Sequence, residues 1–299
     1  MNFKLNQQIF SERYLNNEIE VFIKRLDLID PFISGNKLFK LKHNVNRALL
    51  EKKNMLITFG GAFSNHILAT AAYAKKKNID CLAIVRGEEY SELNPLLTLA
   101  KEYGMNFCFV SRKEYAKRND NNYISELIRK YKKAFIVPEG GNNKLGVSGA
   151  EEILEKQDKS FDYIICPIGT GATLSGIVNS SKKTQKVIGI NCVNDTIYIN
   201  KKTSQKTNKK NWEIINEFNF GGFAKFDNLL TEYLKKFKLN YKITLDLNYT
   251  AKMFFGFEKL IERRYFHRKS KVLLIHTGGT YGNLGFNYLY DLDLPYESN

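Results

Sequence analysis

The strongest constraint on this chain is an alternation. Short apolar runs recur along it, and most are followed by a segment of helical periodicity. The strand-like runs cover residues 21–26, 55–59, 81–85, 106–110, 134–137, 163–166, 187–193 and 271–275. Helical spacing marks residues 67–77, 95–103, 123–131, 147–155, 229–237 and 249–264. Strands that alternate with helices are joined by crossovers, so an α/β fold with parallel sheets and flanking helices is predicted. The polar, lysine-rich residues 200–211 are expected to form an exposed loop, and residues 220–225 a turn between apolar segments.

Four of the strand-like runs end in polar, glycine-containing turns at residues 60–66, 139–143, 169–173 and 277–279. Ligands of open α/β sheets bind at the carboxyl ends of strands. Glycines let backbone N–H groups approach an anion, and a following helix N-terminus favours negative charge. The four turns together predict an anion-binding cleft. Ser64, at the start of a helix, can serve as an ordinary N-cap or meet an anion with its hydroxyl. A further helix follows Gly35, with Leu38, Leu41, Val45, Ala48 and Leu49 on one apolar face. Lys37 borders that face on one side and Lys42 on the other, so spacing alone does not choose which of them reaches a cleft.

The 299 residues suffice for one or two domains, and the formal net charge is +15. A basic chain can attract nucleic acid, but no nucleic-acid motif or basic patch interleaved with aromatics accompanies the charge, and a spread lysine bias is the simpler reading. Cys81, Cys108, Cys166 and Cys192 are far apart and sit in apolar runs, as buried free thiols do. His43, His66, His267 and His276 lack metal-ligand spacing, so no metal is expected. No apolar run is long enough to span a bilayer, and a cytoplasmic protein without membrane partners is expected.

Several motifs carry a resemblance. Gly35-Asn36-Lys37-Leu38-Phe39-Lys40-Leu41 resembles the Gly-Asn-Lys-x-x-Lys-Leu segment of the 1-aminocyclopropane-1-carboxylate deaminase and D-cysteine desulfhydrase family. Ser64-Asn65-His66, Gly169-Thr170-Gly171-Ala172-Thr173, Tyr249-Thr250-Ala251-Lys252 and His276-Thr277-Gly278-Gly279 resemble further motifs of that family, in its order. These are fold-type II pyridoxal phosphate enzymes, similar in fold to the tryptophan synthase β subunit. The resemblance implies a large cofactor domain from residues 1–43 and 147–299, and a small inserted α/β domain from residues 44–146.

It also implies roles. Lys37 would bind pyridoxal 5'-phosphate covalently, and Gly169, Thr170, Gly171, Ala172 and Thr173 would hold its phosphate. Asn65 would contact the ring hydroxyl, and Thr250 and Thr277 would lie by the ring nitrogen. Ser64, Asn65, His66 and Phe223 would contact the substrate. Lys37, with Tyr249 as the alternative, would move the proton at Cα. Thr250 and Thr277 resemble the desulfhydrase branch, whereas deaminases carry glutamate and leucine there. Hydroxyls at an unprotonated ring nitrogen make a weaker electron sink than a carboxylate partner does. The reaction implied is α,β-elimination from D-cysteine to pyruvate, sulfide and ammonia by a homodimer; the alternative is deamination of 1-aminocyclopropane-1-carboxylate or another small amino acid. Phe63 replaces a frequent glutamine, Ala172 and Ala251 each replace a glycine, and Phe223 stands where the family has a second active-site tyrosine.

Overall fold

The computed structural model describes residues 5–88 and 92–296. It begins with β1 (Asn6–Ile9), α1 (Glu12–Asn16), β2 (Glu20–Arg25), α2 (Asn36–Leu50), β3 (Met55–Gly61), α3 (Asn65–Lys76) and β4 (Asp80–Arg86). There follow α4 (Pro95–Glu102), β5 (Met105–Val110), α5 (Arg112–Tyr115), α6 (Asn121–Lys130), β6 (Ala134–Val137), α7 (Lys144–Glu151), β7 (Tyr163–Ile168), α8 (Ala172–Ser180) and β8 (Lys186–Asn191). The chain closes with α9 (Thr196–Ser204), β9 (Trp212–Ile215), α10 (Asn228–Tyr241), α11 (Thr250–Glu262), β10 (Lys271–His276) and α12 (Gly282–Tyr290).

The strands form two sheets. The larger runs β1-β2-β10-β7-β8-β9, and the smaller β5-β4-β3-β6. All pairings are parallel except that of β1 with β2. Successive residues of a buried parallel strand serve opposite layers. On β10, Val272 and Leu274 join the core under α10 and α11, while Leu273 and Ile275 join the core under α7 and α8. On β4, Cys81, Ala83 and Val85 face one layer, and Leu82 and Ile84 the other.

Local chemistry fixes the helix starts. Asn94 accepts hydrogen bonds from the N–H groups of Leu96 and Leu97, and Pro95 fills the first turn of α4. Gly35 precedes α2 at φ +63°, and a Cβ there would overlap the Thr277 carbonyl. The glycine therefore lets the α2 entrance lie directly against the loop after β10.

Residues 200–204 of the expected loop are helical, while 205–211 carry no regular structure. Residues 196–204 form α9, because Asp195 accepts from the Tyr198 N–H and the i, i+4 pair Ile199 and Thr203 is buried while Lys201 faces outward. The edge strand β9, antiparallel β1 and helix α12 were not legible in the sequence pattern. Their runs are short or glycine-rich, and they are held by pairing and packing partners far away in the chain.

Candidate active site

The carboxyl ends of β3, β6, β7 and β10 converge on a cavity of about 280 Å³ between the two sheets. Lys37, in the first turn of α2, lines it and donates to its neighbour Asn36 Oδ1 at 2.8 Å. The Asn36 amide donates in turn to Thr173 Oγ1 at 2.8 Å, tying the lysine's helix to the turn after β7. Burial pushes the Lys37 ammonium down to about 8, against the pull of the Asp246 carboxylate. Lys42, equal to Lys37 by spacing, lies outside the cavity and pairs with Glu152 at 2.6 Å.

Lys40, one turn beyond Lys37, is buried and lines the same cavity. It packs beside Gly140, itself against the Thr170 side chain. Burial holds its ammonium well below the ordinary range, and Lys37 and Lys206 add to the effect. Gly171, at φ +83°, closes the turn and caps α8, whose first N–H groups lack helical acceptors. Buried lysine charge facing a helix N-terminus is a fit for a dianion. Lys40 and Asn36 were missed as site residues, although Lys40 is the second lysine of the motif around Lys37.

Ser64 is the N-cap of α3, but its hydroxyl makes no capping hydrogen bond and is free to meet a ligand in the cavity. Asn65 lines the same wall against Gly279 and Gly282, and its buried side-chain oxygen has no protein partner. His66 Nε2 lies 2.9 Å from Thr58 Oγ1. Thr58 donates to the Val137 carbonyl, so its oxygen accepts from the imidazole. His66 Nδ1 is buried without a partner. Burial, then Lys37 and Lys40, hold the ring well below its ordinary value, so it is neutral.

On the opposite wall, Tyr249 opens α11 with its ring against Gly169, where a Cβ would come within 2.9 Å of the ring. Burial keeps the phenol protonated, and the Asp246 carboxylate adds to this. Phe223 lines the mouth, 6.2 Å from the Tyr249 ring. Thr277 lines the floor after β10.

One residue expected to hold the cofactor lies away from the cavity lining. Thr250 is wholly buried outside the cavity lining. Its hydroxyl donates to Asp246 Oδ1 at 2.8 Å and accepts from the Asp246 N–H at 2.7 Å. The local hydrogen bonds of the α11 start capture the hydroxyl, so it does not face a ring. Ala172 is buried at the first position of α8, where its backbone N–H is the group it can offer a ligand.

The model of the family described as "Pyridoxal-phosphate dependent enzyme" matches residues 7–278. The chain belongs to that family. A putative 1-aminocyclopropane-1-carboxylate deaminase of Thermotoga maritima is 30% identical over 294 residues, covering 91% of each chain. The Arabidopsis thaliana bifunctional D-cysteine desulfhydrase/1-aminocyclopropane-1-carboxylate deaminase is 29% identical, over 90% of this chain and 74% of its own. A crystal structure of an ACC deaminase homologue superposes with a TM-score of 0.80 at 26% identity, over 96% of this chain and 93% of that one. Threonine deaminase isoform 2 of Solanum lycopersicum shares the fold, with a TM-score of 0.65 at 14% identity over 96% and 83%.

The residues present fit pyridoxal phosphate. The lysine of depressed basicity suits a carbonyl, and the glycine turn with Lys40 suits a phosphate. Asn65, with its unpartnered buried oxygen, supplies a polar contact for a substituted ring. When bound, the cofactor supplies an electron sink for a bond breaking at an amino acid's Cα. Among the described residues, no helix is long and apolar enough to cross a membrane.

Proposed function

We propose that this pyridoxal phosphate enzyme eliminates hydrogen sulfide from D-cysteine, giving pyruvate and ammonia after hydrolysis. The carrying observation is the polar lining around Thr277. Among the described residues, Glu139 is the one carboxylate that lines the cavity. Its oxygens are taken by the Tyr115 hydroxyl at 2.9 Å and Arg118 at 2.7 Å. A site with a threonine hydroxyl and no free carboxylate favours a modest electron sink, which suffices for a good leaving group such as thiolate. Thr277 is the threonine that supplies this hydroxyl, since Thr250 is engaged by Asp246.

Each wall then has a task. The free Ser64 hydroxyl and the first N–H groups of α3 bind the substrate carboxylate. Lys37 Nζ takes the Cα proton, which its low basicity permits near neutral pH. The Tyr249 hydroxyl, kept protonated by burial, gives a proton to the departing sulfur. Phe223 and Phe63 exclude water from the mouth. With residues 44–146 as the inserted domain, the cavity lies at the junction of the two domains, where closure can enclose a substrate.

Sulfide release from D-cysteine by the cofactor-loaded protein, with L-cysteine as control, tests this reading. Sulfide from the D-isomer is the expected result. A second reading, ring opening of 1-aminocyclopropane-1-carboxylate, is favoured by Asp246. This buried carboxylate stands directly behind Tyr249, and burial raises its basicity. Ammonia from that substrate with no sulfide from either cysteine would select the second reading.

A further inference from the structure

The charges in the cavity are unequal. Its described lining carries the cations Lys37, Lys40, Arg86 and Arg118 against the single carboxylate Glu139. Lys37 and Lys40 face the proposed cofactor, and Arg118 is bonded to Glu139. Arg86 remains. It ends β4, opposite Gly61 of β3, and its Nη2 lies 3.6 Å from the point a Gly61 Cβ would occupy. The guanidinium thus lies in van der Waals reach of the strand end that leads to Ser64. Below it lies the Tyr115 ring, 5.7 Å from the guanidinium carbon, with Arg118 over the same ring at 4.8 Å.

The two arginines are held in different ways. Arg118 has its charge matched by Glu139, which also binds the Tyr115 hydroxyl. Among the described residues, the Arg86 guanidinium has no carboxylate partner and no hydrogen bond to the protein, its one contact of note being the Tyr115 ring. A ring face steadies a guanidinium through its plane and leaves the N–H fork at the edge free. That fork matches the paired oxygens of a carboxylate, phosphate or sulfonate.

We propose that Arg86 determines side-chain specificity, receiving the anionic group at Cβ of the substrate so that the pocket prefers small amino acids with a second acidic group. The inference rests on the reading of the cavity as an amino-acid site of the cofactor enzyme. It extends that reading, because an elimination places negative charge on the departing group, where Arg86 would receive it.

Titrating the cofactor-loaded protein with serine and O-phosphoserine, both enantiomers of each, and following the cofactor's visible absorption, tests the inference by binding alone. O-phosphoserine should shift the band at a concentration about tenfold lower than serine does, since a guanidinium–phosphate pair contributes a charge-assisted, bidentate contact. The ratio should fall toward one in Arg86→Gln and recover in part in Arg86→Lys. Arg112→Gln, an exposed substitution on neighbouring α5, should keep it. Equal concentrations for the two ligands in the unmodified protein would overturn the inference, as would an unchanged ratio in Arg86→Gln. The second outcome would also arise if Arg86 binds the α-carboxylate shared by both ligands. If neither of these ligands nor cysteine shifts the band, the amino-acid reading itself fails, and the inference with it.

Discussion

Lys252 donates its ammonium to the Gly222 carbonyl at 2.6 Å, from a position on α11 with no exposed surface. The same ammonium reaches the Asn219 carbonyl at 2.9 Å, and the Asn248 side chain accepts from the Ala224 N–H. A single buried lysine thus gathers the turn that presents Phe223 to the cavity mouth.

Lys252→Met removes the ammonium donor and leaves the Asn219 and Gly222 carbonyls with only their turn bonds, from the Gly222 and Lys225 N–H groups. A loss of about 1.5–3 kcal/mol in unfolding free energy, the range for hydrogen bonds from a charged donor, is expected, measured by urea denaturation. The freed turn should also lower kcat/KM while the cofactor's absorption band stays in place, because Lys252 touches no proposed cofactor contact.

Gly35→Ala separates two parts of the site. A side chain at φ +63° is strained, and its Cβ overlaps the Thr277 carbonyl. The cost should be about 3 kcal/mol, the sum of left-handed strain and overpacking. Thermal melting and cofactor content should fall together, since the displaced segments carry Lys37 and Thr277.

Lys40→Met should act with opposite signs in the two forms of the protein. Without cofactor, burial and the neighbouring Lys37 and Lys206 disfavour the Lys40 ammonium, so its removal should leave melting unchanged or raise it. With cofactor, the phosphate loses a charge-assisted partner, and its dissociation constant should rise by about tenfold to a hundredfold. Calorimetric titration of the apoprotein checks the second half.

The pH dependence of the apoprotein follows from Lys37. Its folded value is about 8, below that of an unfolded lysine near 10.5. Below pH 8 both states hold the proton, and the folded state bears the full cost of the buried charge. Between about pH 8 and 10.5 the unfolded chain binds more protons, so the Lys37 contribution to stability rises with pH. Subtracting the profile of Lys37→Met from that of the unmodified apoprotein should isolate this upward slope. A flat difference would remove the depressed basicity from the account.

The sequence pattern resolved the parallel strands and the glycine turns because each rests on local chemistry: buried apolar runs, turn residues and helix caps. It left Lys37 and Lys42 level. The choice depends on how α2 rotates against its neighbours. Asn44, fully buried, accepts from the Asn143 amide and turns one stripe of the helix inward, while Glu152 holds Lys42 outward. The direction of the Thr250 hydroxyl was hidden for a related reason. A motif shows that a hydroxyl is present, whereas its direction is set by Asp246, four residues earlier, at the helix start. Arg86 had no motif at all; its part in the cavity follows from strand register opposite Gly61, which is a tertiary fact.

The account turns on Lys37 as the residue that binds the cofactor. Borohydride reduction of the cofactor-loaded protein, followed by mass mapping of its peptides, measures this directly, because reduction fixes the cofactor to the lysine that holds it. The predicted result is a pyridoxyl group on Lys37, absent from Lys37→Ala. A pyridoxyl group on Lys40, with Lys37 unmodified, would contradict the account.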